Sequence, residues 1–189
     1  MVSAASPDTH RAPHLVLVGM MGAGKTSIGR RVAKRLHLRQ VDLDVAIERR
    51  AGASVSEIFA SEGEAGFRER EHAVLVDILA GEESLVVSTG GGAVLRTDNR
   101  DAMRSRATVV WLRATPRTLL TRVGDGSGRP LLADDPLGNL TRLAESRAWA
   151  YAAAAHEIID VDRMSSEAVT EQIARVGAAL AATTKGGDA

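Results

Sequence analysis

Apolar and polar positions alternate along this chain in blocks. Residues 14–19 (HLVLVG) form a short apolar run ending in glycine, the pattern of a buried strand. TSIGRRVAKRL follows with Ile28, Val32 and Leu36 four apart, which predicts one apolar helix face. A second strand is expected over 39–44 (RQVDLD), then a short helix, DVAIERRAG, closed by Gly52. Ser54 and Glu57 have capping-box spacing and open VSEIFASEG. A long helix, EAGFREREHAVLVDILAG, is predicted next, with Phe67, Val74, Leu75, Ile78 and Leu79 facing inward. SLVVSTGGG reads as a strand running into a glycine triplet, DNRDAMRSR as a helix and ATVVWLRA as another buried strand. Thr115 and Pro116 are the cap and first residue of PRTLLTRV. A loop over 124–136 (GDGSGRPLLADDP) separates this from the helix LGNLTRLAESRAWAYAAAA, the strand HEIIDVD and a closing helix, SSEAVTEQIARVGAALA.

Strands that are apolar throughout, alternating with helices, predict a parallel sheet covered on both faces: an α/β, three-layer αβα fold. Ligands bind such sheets beyond the carboxyl ends of the strands. Three chemically distinctive segments fall there: 19–26, 42–44 and 90–92. No repeat and no interdomain linker interrupts the pattern. One domain over 14–180 is expected, between disordered tails at 1–13 and 181–189, with a lid at about 124–136.

Composition narrows the partners. The chain has 189 residues, 24 basic and 24 acidic. Net charge near zero argues against a general attraction to nucleic acid or anionic membrane, so anion binding must be local. No cysteine is present, which excludes disulfides and thiolate metal sites and is compatible with a cytoplasmic location. No apolar run has the roughly 20 residues of a membrane span.

Gly19, Gly24, Lys25 and Thr26 fit G-x-x-x-x-G-K-[ST]. Glycines let the backbone curl with its N–H groups inward, and those donors, with the positive end of the next helix, hold phosphates. Lys25 reaches the outer phosphates as a point charge, and the Thr26 hydroxyl is a ligand for Mg²⁺. Nucleotide binding follows; hydrolysis and transfer both remain open at this point. The strand that should end in a metal-supporting Asp ends instead in Ser, Thr and three glycines. The nearest suitable carboxylates are Asp42 and Asp44, which, two apart on an extended strand, point the same way. One could support the metal and the other accept a hydroxyl proton, or either could simply turn the chain or cap the next helix. Gly90, Gly91 and Gly92 let backbone approach a small ligand, or form a plain turn. Arg68 and Glu71, three apart, are helix neighbours, so Glu71 could hold the guanidinium in one rotamer, or the two could be a plain surface ion pair. Arg129 lies in a loop long enough to act as a lid over the transferring phosphate, or to be simply a disordered loop. Arg147, on the following helix, could return to the site, and Arg122 could stack on adenine.

Taken together, GMMGAGKTSIGR, DLD, FRERE, GGG, GRPLL and ESRAWAY, in this order and at about this spacing, resemble the shikimate kinase family from about His14 to Leu180. The resemblance implies a monomer with a five-stranded parallel sheet of order 2-3-1-4-5. It implies transfer of the γ-phosphate of ATP to the 3-hydroxyl of shikimate, in aromatic amino acid biosynthesis. Gly22, Ala23, Gly24, Lys25, Thr26 and Ser27 match the family's nucleotide-binding loop. Thr26, and Asp42 through water, match its magnesium residues, and Asp44 the carboxylate that binds and activates the hydroxyl. Arg68 and Arg147 match the arginines that clamp the shikimate carboxylate, with Glu71 orienting Arg68, and Gly90 to Gly92 match the backbone against the ring. Arg129 matches the lid arginine and Arg122 the one beside adenine. Trp149 departs from the pattern: the family commonly has Arg-x-Pro-x-Tyr where this chain reads RAWAY, so the helix lacks a break there. The rival readings are another small-molecule kinase of this fold, such as a gluconate kinase, and a nucleotide-binding module without catalysis.

Overall fold

A computed structural model describes residues 14–123 and 134–185 of the chain. Five parallel strands, β1 (His14–Val18), β2 (Arg39–Asp42), β3 (Leu85–Ser88), β4 (Ala107–Arg113) and β5 (Glu157–Asp160), pair in the order β2-β3-β1-β4-β5. β1 is central: Val16 pairs with Val87 on one side and Val109 on the other. All five of its residues are buried, as are all four of β3. Continuous apolar runs fit this position because both sheet faces are covered by helices. The edges β2 and β5 are the more polar and exposed strands.

Helix α1 (Lys25–Leu36) buries Ile28 and Val32 beneath the sheet and packs against α7 (Ser166–Lys185). α2 (Leu43–Ala51) packs on α3 (Val55–Ala80). The Ser54–Glu57 capping box opens α3 as its spacing predicts: the Ser54 amide donates to Glu57 Oε2 at 2.7 Å. At Gly63, φ is 70° and ψ −175°, a kink that divides α3 where the sequence pattern changes from one helix to the next. Beyond it, Phe67, Val74, Leu75 and Leu79 are buried, whereas Ile78 is only partly so. α4 (Thr97–Arg106), α5 (Pro116–Val123) and α6 (Pro136–Ala154) complete the layers.

Two local differences from the sequence pattern matter for the site. β2 ends at Asp42 rather than at residue 44, because Asp42 caps α2. A single-turn 3₁₀ helix, Ala93–Leu95, follows the glycine triplet and has no sequence counterpart. Residues 1–13, 124–133 and 186–189, on which the expected N-terminal tail, most of the expected lid and part of the expected C-terminal tail fall, lie outside the described residues.

Candidate active site

The loop from Gly19 to Gly24 turns sharply between β1 and α1. Gly22 and Gly24 have φ of 78° and 96°, a region costly for side chains bearing Cβ. No side chain caps α1 and no acidic residue lies in its first turn, so its positive end is open to an anion. The Lys25 ammonium folds over the loop and donates to the Gly19 and Met20 carbonyls at 2.9 Å each. Burial lowers its pKa to about 8, against the opposing pull of Asp44 and Asp42. Ser27 Oγ donates to the Gly24 carbonyl at 3.0 Å. Arg122, from the end of α5, donates to the carbonyls of Ala23 (3.5 Å) and Val161 (3.0 Å).

Thr26 Oγ1 donates to Asp42 Oδ2 at 2.7 Å. The other Asp42 oxygen accepts from the Asp44 amide at 3.2 Å. Asp42 therefore does two things at once: it caps α2 and faces the threonine of the phosphate loop. This corrects the basis on which the two aspartates were paired. They converge not through strand alternation but because Asp44 occupies the first turn of α2, where helical geometry swings it inward. Hydroxyl and carboxylate are hard oxygen donors, which suit an alkaline-earth cation. Among the described residues no group of three or more His, Cys, Asp or Glu could hold a metal. A cation here would thus share its ligands with phosphate and water.

Gly90, Gly91 and Gly92 form the hub of the second half of the site. A Cβ at Gly90 would stand 2.9 Å from Asp44 Oδ1 and 3.1 Å from Glu71 Oε1. A Cβ at Gly92 would lie 2.2 Å from Arg68 Nη2. The missing side chains leave room for the protein's own charged groups to approach the backbone. The Gly91 carbonyl accepts from Tyr151 Oη at 2.6 Å and from Arg147 Nη1 at 3.4 Å. A Cβ on Gly91 would also touch the phosphate loop, 3.6 Å from the Gly19 carbonyl oxygen. Asp44, Arg68 and Arg147 are thus gathered around one three-residue turn beside the loop. Arg129 lies outside the described residues.

Arg68 Nη1 donates to Glu71 Oε2 at 2.8 Å, and Nη2 reaches the exposed Glu64 at 3.3 Å. Burial lowers the Arg68 pKa, but Glu71 and Glu64 together outweigh it and the net shift is upward. Glu71 is fully buried, and its Oε1 has no hydrogen-bond partner among the described residues. Burial raises its pKa despite the pull of Arg68. Asp44 is also raised, by burial first and then by Asp42, with Lys25 and Arg68 opposing. Tyr151 is pushed up to about 12 by burial, which keeps its hydroxyl a donor.

Several supporting residues were not visible in the sequence. Ser88, at the end of β3, donates to the Lys25 carbonyl at 3.0 Å and accepts from Gln40 Nε2 at 3.1 Å. Gln40 also reaches the Thr26 carbonyl at 3.4 Å. The start of α1 is thereby tied to β2 and β3. The only sequence hint was that Gln40 lies two residues before Asp42 on one strand.

A parallel sheet of order 2-3-1-4-5, a glycine-rich phosphate loop after its central strand and a carboxylate beside a guanidinium define a phosphate-loop phosphotransferase with a small acceptor. The family model described as shikimate kinase matches residues 21–177. The chain is 50% identical over 163 residues to the shikimate kinase of Symbiobacterium thermophilum, covering 85% of this chain and 93% of that protein. It is 45% identical over 166 residues to that of Burkholderia lata, covering 86% and 90%. The structure of shikimate kinase from Acinetobacter baumannii in complex with shikimate superposes with a TM-score of 0.83 at 36% identity, over 90% of this chain and 95% of that one. The chain belongs to the shikimate kinase family and is an ATP-dependent kinase, a class that uses a divalent metal. A gluconokinase from Sinorhizobium meliloti, at 19% identity and a TM-score of 0.56, shares the fold alone. Among the described residues no helix is long and apolar enough to cross a membrane.

Proposed function

We propose that this protein transfers the γ-phosphate of ATP to the 3-hydroxyl of shikimate, giving shikimate 3-phosphate and ADP in aromatic amino acid biosynthesis, as a cytoplasmic monomer. The observation that carries this reading is the convergence of Asp44, Arg68 and Arg147 on Gly90–Gly92, next to the phosphate loop. Phosphoryl transfer depends mainly on alignment and on stabilising charge. ATP would lie along the backbone of Gly22 to Ser27, with its outer phosphates at the Lys25 ammonium. Mg²⁺, held by Thr26 and through water by Asp42, supplies neutralisation of phosphate charge when bound. Asp44 accepts a hydrogen bond from the acceptor hydroxyl and aligns its oxygen with the phosphorus. Arg68 and Arg147 bind the acceptor carboxylate with forked donors, and Glu71 holds Arg68 in the required rotamer. Arg129 acts from the lid and Arg122 beside the base.

A coupled assay with ATP, Mg²⁺ and shikimate tests this. ADP is expected to form in step with shikimate consumed, and neither quinate nor gluconate should replace it at comparable efficiency. ADP release indifferent to shikimate would overturn the assignment.

A further inference from the structure

α6 turns Arg147 and Tyr151, one helical turn apart, toward the Gly91 carbonyl. Trp149 lies between them in the chain and, at about 100° per residue, on a different face. It is 58% exposed. Its ring is nevertheless not loose: the Arg100 guanidinium stands 4.9 Å from the ring centroid. Arg100 is itself pinned. Its Nη1 donates to the carbonyls of Val94 (2.7 Å) and Leu95 (3.1 Å), and its Nη2 to Thr97 Oγ1 (3.0 Å). The surface against which Trp149 rests is therefore fixed to the 3₁₀ turn that directly follows Gly92. One turn further along α4, Arg104 donates to the Ala153 and Ala155 carbonyls at the end of α6 (3.3 and 3.1 Å). α4 thus grips α6 at two points, and the first grip continues into the glycine hub.

We propose that Arg100 and Trp149 are positioning residues for the acceptor: their stacked pair sets the roll of α6 relative to the glycine triplet, and so holds Arg147 at the acceptor's carboxylate. This rests on the acceptor reading above. Among the described residues, Arg147 has a long bond to the Gly91 carbonyl, at 3.4 Å, and a hydrogen-bonding contact with Tyr151, which lies on the same helix and cannot fix that helix's roll by itself. A roll of about 10° displaces a group about 6 Å from a helix axis by about 1 Å, and displacements of that size matter in a reacting site. Arg68 needs no such brace, because the buried Glu71 holds it directly.

Steady-state kinetics at saturating ATP, with calorimetric titration of shikimate and thermal melting, test the inference on the full chain. Trp149→Ala is expected to raise both KM and Kd for shikimate about three- to fivefold, the size of an exposed cation–π contact. kcat, KM for ATP and Tm should stay near wild type, since the ring is mostly exposed. Trp149→Phe keeps an aromatic face and should recover most of the loss. Adding Trp149→Ala to Arg100→Ala should raise KM no further. Unchanged shikimate KM and Kd in Trp149→Ala, beside a wild type that phosphorylates shikimate, overturn the positioning role. So does an equal rise in KM for both substrates, or a Phe variant as impaired as Ala. A wild type that neither binds nor phosphorylates shikimate overturns the acceptor reading and this inference with it.

Discussion

The two halves of the site are built differently. The phosphate loop occupies one stretch of chain, and its curl is set by local ties, Lys25 to Gly19 and Met20 and Ser27 to Gly24, with Arg122, Gln40 and Ser88 bracing it from outside. The acceptor half is assembled from α2, α3, the glycine triplet and α6, which meet only in the folded chain: Arg68 is held by its helix neighbour Glu71, but Arg147 reaches Gly91, 56 residues away. The first half is a backbone conformation. The second is a set of side-chain placements. Substitutions in the acceptor half should therefore move kinetic constants while leaving nucleotide binding and the fold largely intact.

The largest effect is expected at Asp44, where the halves meet. Asp44→Asn preserves shape but removes the carboxylate charge that the proposed mechanism sets against the acceptor hydroxyl. Turnover should fall at least about a hundredfold, as for loss of a group acting on the proton in flight. ATP affinity, measured by titration, should hold. Near-normal kcat would take Asp44 out of the chemistry and blur the division between the halves.

Next comes Gly92→Ala. Gly92 has φ of −100°, which alanine adopts freely, so no backbone strain follows. The new methyl would lie 2.2 Å from Arg68 Nη2 and 2.6 Å from its Cζ. Arg68 is long and will yield, leaving the place where a carboxylate should meet it. Losing a hydrogen bond to a charged group corresponds to about 10- to 100-fold in KM for shikimate. Tm should change little. A Gly92→Ala enzyme with wild-type KM would separate Arg68 from acceptor binding.

Glu71→Gln is gentler. Glutamine keeps an acceptor for Arg68 at the same length but removes the charge opposing it. Arg68 is then held less firmly, and KM for shikimate should rise about tenfold, or about 1.4 kcal/mol. Stability should change less than for a typical broken ion pair, because burial already disfavours the Glu71 carboxylate. A large loss of Tm with unchanged KM would make Glu71 a core residue rather than one that orients Arg68.

What was legible in the sequence follows the same division. The strands, the phosphate loop, the Ser54–Glu57 box and the break near Gly63 are short-range patterns. Asp42 and Asp44 were found for the wrong reason, since a two-residue period cannot show that a strand has already become a helix. Arg100 falls within the predicted helix DNRDAMRSR, where nothing local singles it out. Its meaning comes from carbonyls five and six residues back and a ring 49 positions on. The Gln40–Ser88 link, spanning 48 residues, likewise exists only once β2 and β3 pair. Motifs encode backbone shape locally, whereas the groups that hold a side chain in place are chosen by tertiary packing.

The smallest effect concerns the far end of the acceptor half, where α6 passes into β5. His156 donates its backbone N–H to the Val109 carbonyl at 2.8 Å, and its Nδ1 accepts from the Val109 amide at 3.0 Å. That second bond requires an unprotonated Nδ1. Partial burial, with Arg104 adding to it, lowers the pKa below the ordinary 6.5, while Glu157 opposes. The unfolded chain then binds the proton more readily than the folded one. The His156 contribution to stability is fully present above about pH 6.5 and is lost as pH falls through the folded-state pKa. Thermal melts of wild type and His156→Ala should therefore differ more at pH 7.5 than at pH 5, because only the wild type loses this bond on acidification. A difference that stays constant, or grows toward acid, would mean that the ring packs there without its lone pair mattering.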